Sequence, residues 1–298
     1  MSDDQPLGYT DDALAGHASS LAPGLLDGLT VMVSGGGSGI GRATAWLAAR
    51  LGARVVVTGR TQDKLDKVAA GMAAHGLACD TAAVDVRKRE TVEAMFDAVL
   101  DRHGGIDLLV NSAGGQFPQP AIDYSLKGWK AVIETNLDGT FHMMQCAAQR
   151  WRKAARGGSI VNVVVSPRGL HHVAHSVAAR AGVIAFSEAV AVEWGPLGIR
   201  VNCVAPGAIR SEGWAVYQPH VRNRYANTNP LRTVGTPWDV AEAILYVGGP
   251  AGKFISGDTL QITGAGHLWG EVWTTDKPDA FVEATRAFDP AFNKPAQQ

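Results

Sequence analysis

A single α/β domain, built on a doubly wound parallel sheet of about seven strands with helices on both faces, is the fold this sequence predicts. Three observations predict it. Strand-like and helix-like blocks alternate regularly along the chain. Most of the strand-like blocks are continuous Val/Ile/Leu runs, which suits strands covered on both faces. The first of them runs straight into a glycine-rich turn, SGGGSGIG (34–41), and then a helix.

Taken in order, strands are expected at Thr30–Ser34, Arg54–Thr58, Ala78–Val84, Asp107–Val110, Ser159–Val165, Ile199–Val204 and Thr259–Ile262. Between them the pattern predicts helices at Ile40–Leu51, Gln62–His75, Thr91–His103, Leu126–Arg150, Ala174–Trp194 and Pro237–Val247. Ser211–Arg232 breaks this rhythm: it is polar and aromatic and carries Pro219 and Pro230. There is no internal repeat and no low-complexity linker. The expected layout is a polar extension over 1–28, one domain over 29–266, and an irregular tail over 267–298 that holds Trp269 and Trp273.

Composition narrows the function. The chain has 298 residues, with 27 basic and 28 acidic side chains and a formal charge of −1. That balance argues against a nucleic-acid binder and against a polybasic membrane-surface protein. A hydrophobic share of 46% with 18% charged residues is globular composition. No apolar run approaches the roughly 18 residues of a membrane span. The opening, MSDDQPLGYTDD, is acidic where a secretory signal is basic and then apolar, so a cytoplasmic location is expected. Cys79, Cys146 and Cys203 are far apart and lack metal-ligand spacing, which fits reduced thiols. His171, His172 and His175 lack a nearby fourth ligand, so no metal is expected. The 35 glycines are about 12% of the chain against a usual share of about 7%.

Several of those glycines carry chemistry. In SGGGSGIG, Gly35 permits the turn, Gly39 lets a pyrophosphate approach the backbone, and Gly41 lets helix and strand pack closely. With Gly37, Ser38 and Ile40 they form a Rossmann-like dinucleotide turn, whose free N–H groups at the helix start hold phosphate. Arg60 follows the second strand, where a carboxylate would hold a ribose 2′-hydroxyl and an arginine takes a 2′-phosphate. The cofactor expected is therefore NADP(H) in preference to NAD(H).

From roughly residue 28 to 266 these features resemble the short-chain dehydrogenase/reductase superfamily. Asp85-Val86 follows the third strand, NSAG (111–114) the fourth, Asn136 sits in ETNLDGTF, and APGAIRS (205–211) follows the sixth. The resemblance implies that Asp85 touches adenine and that the loop of Asn111, Ala113 and Gly114 backs the adenosine ribose. It implies also that Pro206, Gly207, Ile209 and Ser211 line the nicotinamide. Ser211–Arg232 stands where the family keeps a mobile substrate loop, so Trp214, Tyr217, Arg222 and Arg224 are expected to cover an apolar tail and meet an anionic headgroup. The same resemblance implies a homo-oligomer, a tetramer in particular, with Trp269 and Trp273 packed against another subunit.

The catalytic stretch departs from the family pattern. A Tyr-x-x-x-Lys is usual on the helix after the fifth strand, but this helix reads HSVAARAGV (175–183). Ser176 falls at the tyrosine position, Arg180 at the lysine position, and Val165 or Ser166 at that of the usual serine. No tyrosine lies between Tyr124 and Tyr217. GGQFPQPAIDYSLKGWKAVIETNLDGTF, HSVAARAGV and AVEWGPLGIRVNCVAPG are similar to peroxisomal trans-2-enoyl-CoA and dienoyl-CoA reductases, and equally to a bacterial group assigned to citronellol and citronellal oxidation. Hydride addition to an enoyl thioester builds charge on the thioester oxygen, which hydrogen-bond donors can hold without a phenol of tuned pKa. An alcohol or ketone must exchange a proton on oxygen, for which serine is poor. The reading is thus an NADP(H)-dependent oxidoreductase of a small molecule, an acyl thioester before an enal or alcohol, with Asn136, Ser176 and Arg180 as candidate catalytic residues. A silent nucleotide-binding sensor or partner subunit is the competing class.

Overall fold

The computed structural model describes residues 7–269, 272–279 and 281–282. Seven parallel strands form the central sheet: β1 (Thr30–Ser34), β2 (Arg54–Gly59), β3 (Cys79–Ala83), β4 (Leu108–Asn111), β5 (Gly158–Val163), β7 (Ile199–Pro206) and β8 (Thr259–Ile262). Their order is β3-β2-β1-β4-β5-β7-β8. The remaining pair, β6 (Leu170–His171) and β9 (Val272–Trp273), forms a separate two-stranded ribbon.

Side chains alternate across the sheet and build two cores. Val31 and Val33 of β1 face one side, with Val55 and Val57 of β2. There they meet α2 (Gly39–Arg50), α3 (Gln62–Ala74) and α9 (Pro237–Gly248), through Trp46, Leu65 and Trp238. Met32 and Val56 face the other side with Leu109 and Ile160, against α4 (Arg89–His103), α6 (Gly139–Lys153) and α7 (Ala174–Trp194). Strand order reverses between β1 and β4, which both end at the same level, Ser34 opposite Asn111. A crevice must open at such a reversal, and in α/β sheets it is the ligand site.

Three expectations are corrected. The helix expected in one piece over Leu126–Arg150 is α5 (Leu126–Ile133), a π-turn over Glu134–Asp138, and α6. The wider turn holds Asn136 in the interior, and Gly139 lets this bend pass 2.6 Å from Val86 as measured to a would-be Cβ. The fifth strand ends at Val163, so Val165 and Ser166 belong to the following loop. The tail is not wholly irregular: α10 (Gly266–Trp269) and β9 bring it back over β6, while 283–298 lie outside the described residues. Trp273 packs within its own chain, its ring 4.5 Å from that of His171 and 5.1 Å from that of His172.

α7 with the turn after it, Ala174–Leu197, is long and apolar enough to cross a membrane, but Val183 and Val190 on it are buried in the clusters that hold Cys203 and Val201 of the sheet.

The N-terminal arm is part of the core. Leu14, from α1 (Asp11–Gly16), and Leu26 join the cluster of Trp46 and Trp238, and both are buried. His17 stacks on Trp238 at 4.8 Å, and Arg50 donates to the carbonyls of Leu14 (2.9 Å) and His17 (2.7 Å). Leu26→Ala removes a side chain that is 0% exposed and should cost about 2–4 kcal/mol in urea unfolding. A loss below about 0.5 kcal/mol would show the arm to be detachable.

Candidate functional site

Two cavities meet at the reversal of strand order and share Gly114. The smaller, about 160 Å³, is lined by Gly35, Gly37 and Ser38 of the glycine turn, Arg60 and Lys64 beyond β2, and Val86, Ala113 and Gly114. The larger, about 450 Å³, is lined by Ile40, Gly114, Pro206, Gly207, Ile209 and Ser211, together with Val163–Ser166, Trp214, Tyr217 and Val272. Together they make one groove along the carboxyl edge of the sheet.

The glycine turn has the shape of a phosphate cradle. Gly35 has φ +71°, and a Cβ there would stand 2.7 Å from Ala113 N. A Cβ on Gly41 would run into the Gly35 carbonyl, so α2 approaches β1 as closely as backbones permit. The start of α2 has no side-chain cap of its own. Instead the Gly39 N–H donates to Glu212 Oε2 at 3.0 Å, and Arg42 stands 3.7 Å from the same carboxylate. An acidic side chain of the 211–232 segment thus takes the seat that a phosphate needs. Arg42 also pairs with Asp11 and donates to the Tyr9 carbonyl at 2.8 Å, which ties the N-terminal arm to the turn.

Arg60 is exposed at the rim, beside Lys64, whose position the sequence reading did not include. Asp85 lines neither cavity. Arg87 grips its carboxylate in a fork at 2.9 and 2.6 Å and holds it down at about pKa 2, chiefly through this hydrogen bonding and against the opposing effect of burial. Asn111 also turns away from the groove: it is buried and donates to Asn162 Oδ1 at 2.8 Å, and Asn162 donates to Ser187 Oγ at 2.9 Å. That chain ties β4, β5 and α7 together.

Asn136, Ser176 and Arg180 converge under the loop after β4. Asn136 holds the Gly115 peptide at both ends, accepting from its N–H at 3.0 Å and donating to its carbonyl at 3.0 Å. The same amide donates to Ser176 Oγ at 3.3 Å. Arg180 Nη2 donates to the Ala113 carbonyl at 3.2 Å, while Nη1 is buried without a partner among the described residues. Burial lowers the guanidinium to about pKa 10, so it stays charged at neutral pH. Gly114 is the residue that admits it, because a Cβ there would collide with Arg180 Nη2. None of the three lines the cavity; Gly114 and Gly115 stand between. His175, next to Ser176, is buried between Phe117 and Tyr124, and its Nδ1 accepts from the Ser176 N–H at 2.7 Å. Burial pushes this imidazole down toward neutrality.

Of the loop residues expected to cover ligand, Trp214 and Tyr217 line the larger cavity and Arg222 and Arg224 do not; Arg224 lies 3.9 Å from Asp276. Among the described residues that line the larger cavity, Arg168, on the loop after β5, is the one Lys, Arg, Asp or Glu.

Residues 35–265 match a family model described as enoyl-(acyl carrier protein) reductase. The chain belongs to the short-chain dehydrogenase/reductase superfamily. It is accordingly an oxidoreductase of that family, whose members use a nicotinamide cofactor. It is 34% identical over 265 residues to a peroxisomal 2,4-dienoyl-CoA reductase of Danio rerio, covering 87% of this chain and 88% of that one. It is also 34% identical over 243 residues to the 3-oxoacyl-[acyl-carrier-protein] reductase FabG of Chlamydia muridarum, covering 80% and 98%. Among solved structures, the citronellol catabolism dehydrogenase AtuB of Pseudomonas aeruginosa PAO1 is 40% identical, with TM-score 0.75, over 84% of this chain and 99% of that one.

The carboxylate in the phosphate seat gives a test. Glu212→Gln removes a negative charge from the start of α2 and should tighten nicotinamide dinucleotide binding roughly 3- to 10-fold, about 1 kcal/mol, in a fluorescence titration. Unchanged or weaker binding would place Glu212 outside the phosphate path.

Proposed function

We propose that this protein is an NADP(H)-dependent reductase of an α,β-unsaturated acyl thioester. The observation that carries the reading is the makeup of the larger cavity: walls rich in Val, Ile, Leu, Trp and Tyr, with Arg168 the one Lys, Arg, Asp or Glu among the described lining residues. Such a cavity suits an apolar acyl chain whose carrier end is anionic. The thioester names of two relatives, the dienoyl-CoA reductase and FabG, support the same substrate class.

The residues present fit the cofactor. In the Gly35–Gly41 turn Gly35 and Gly39 take positive φ, and a Cβ on Gly35 or Gly41 would strike neighbouring backbone, so the turn keeps a bare backbone for a pyrophosphate, and Arg60 with Lys64 supplies positive charge at the adenosine end for a 2′-phosphate. When bound, a reduced nicotinamide supplies the hydride. Asn136 and Ser176 do not face the cavity; their part is to hold the Gly114–Gly115 backbone rigid beside the reacting carbons. Arg180 fixes Ala113 in the same loop and keeps the site electropositive. Exposed Phe254 and Leu268 support assembly as a homo-oligomer, a tetramer by family.

A second reading, oxidation of an apolar primary alcohol or its aldehyde, is favoured by the 40% identity to AtuB. A panel of 2-enoyl-CoAs, enals and alcohols followed at the reduced-nicotinamide absorbance separates the two. Oxidation of NADPH with enoyl-CoAs is expected; alcohol turnover with no thioester activity would replace the proposal with the second reading. Arg60→Asp should lower kcat/KM for NADPH roughly 10- to 100-fold while sparing NADH. Equal loss with both cofactors would refute the 2′-phosphate assignment.

A further inference from the structure

The helix that ordinarily carries a phenol has none here, and Asn136, Ser176 and Arg180 are walled off from the cavity by Gly114 and Gly115. A donor to the substrate oxygen must therefore come from another wall. Tyr217, on the 211–232 loop, lines the cavity alongside Pro206, Gly207 and Ser211. Its hydroxyl accepts a hydrogen bond from Gln116 Nε2. Gln116 directly follows the Gly115 peptide that Asn136 grips, so the phenol oxygen is tied to the same frame as Ser176. Because the Gln116 amide supplies that hydrogen, the proton on Tyr217 is left to donate. Tyr225 backs the ring edge-on at 5.8 Å. Burial pushes the Tyr217 phenol up, which keeps it protonated.

We propose that Tyr217, from the 211–232 loop, takes over the missing phenol's part, its O–H donating to the thioester oxygen of the substrate. The proposal rests on the enoyl reductase reading. As hydride bonds to the β-carbon, the carbon–carbon π pair moves to join the α-carbon to the carbonyl carbon, and the carbonyl pair moves onto oxygen. Tyr217 holds that enolate oxygen and keeps its own proton. A water O–H then breaks and its proton bonds to the α-carbon as the carbonyl re-forms; the hydroxide left behind is neutralised by a proton from bulk solvent, so that hydride and one solvent proton add across the double bond.

The test uses the full chain saturated with NADPH and a 2-enoyl-CoA in stopped flow. Tyr217→Phe should slow the hydride step about 10²- to 10³-fold, the loss seen when one oxyanion donor is removed. KM should stay within about threefold, since a donor used mainly in the transition state alters kcat. Tyr246→Phe, exposed on α9, should match wild type. Should Tyr217→Phe not fold, as judged by thermal unfolding, Gln116→Leu serves in its place, with a loss of about tenfold expected. A second readout needs no turnover: acetoacetyl-CoA, whose enolate absorbs in the near ultraviolet, should show a larger enolate fraction on the NADP⁺ complex, and Tyr217→Phe should abolish the increase. Wild-type rates and an unchanged enolate band in Tyr217→Phe overturn this inference and leave the reductase reading intact. A Tyr217-dependent enolate band without turnover of any enoyl-CoA overturns the reductase reading and upholds the donor. Neither turnover nor an enolate band overturns both.

Discussion

The closeness of α2 to β1 is the constraint on which the groove depends. Gly41 rests on the Gly35 carbonyl, and Gly35 in turn lies against Ala113 at the end of β4. Three backbone segments thus meet without a side chain between them. This contact aims the N-terminus of α2 at the point where strand order reverses, and it brings the loop after β4 beside it. A single methyl group at either glycine would push the helix start away from the crevice. The arm packed behind α2, with Arg42 bound to Tyr9 and Arg50 bound to Leu14 and His17, resists that displacement from the other side.

The second constraint is polar. The loop from Ala113 to Gln116 has no regular partner strand, so its backbone groups need partners from below. Asn136 and Arg180 supply them, and each reaches its place by a local irregularity. The π-turn over Glu134–Asp138 turns Asn136 inward, and the absence of a Cβ on Gly114 opens the path for the guanidinium. Ser176 is drawn in through Asn136, and His175 braces the Ser176 N–H from within the aromatic pair of Phe117 and Tyr124. The loop is therefore a relay between α7 and the cavity, and half-buried Gln116 is the end that reaches Tyr217.

Much of this was legible in the chain itself. The seven sheet strands fall within two residues of their expected ends. The central ones announce themselves as continuous Val/Ile runs, because buried parallel strands tolerate little else, while the edge strands β3 (CDTAA) and β8 (TLQI) are half-buried and are placed by the alternation of blocks. The strand–glycine–helix order located the nucleotide turn. What stayed hidden is long-range or geometric. A π-turn has no period of its own, so Leu126–Arg150 read as one helix. Glu212 meets Gly39 across 173 positions, and no local pattern marks such a pair. The β6–β9 ribbon joins strands of two residues each, too short to show alternation. Asn111 and Asp85 sit where the family pattern puts them, yet their side chains bind Asn162 and Arg87, which spacing alone cannot reveal.

Near-neutral net charge means that attraction for an anionic ligand must be built locally. At the rim it comes from exposed Arg60 and Lys64, where salt screens it. In the interior it comes from Arg180, where screening is weak but desolvation is costly. An arginine suits that position better than a lysine in one respect. Its planar fork lets Nη2 bind Ala113 while Nη1 faces elsewhere, and its charge survives a burial that brings it to about pKa 10. A lysine starts about two units lower and has less margin against the same desolvation. Among the described residues Nη1 has no hydrogen-bond partner, so it is the one end of this fork still open to a further acceptor.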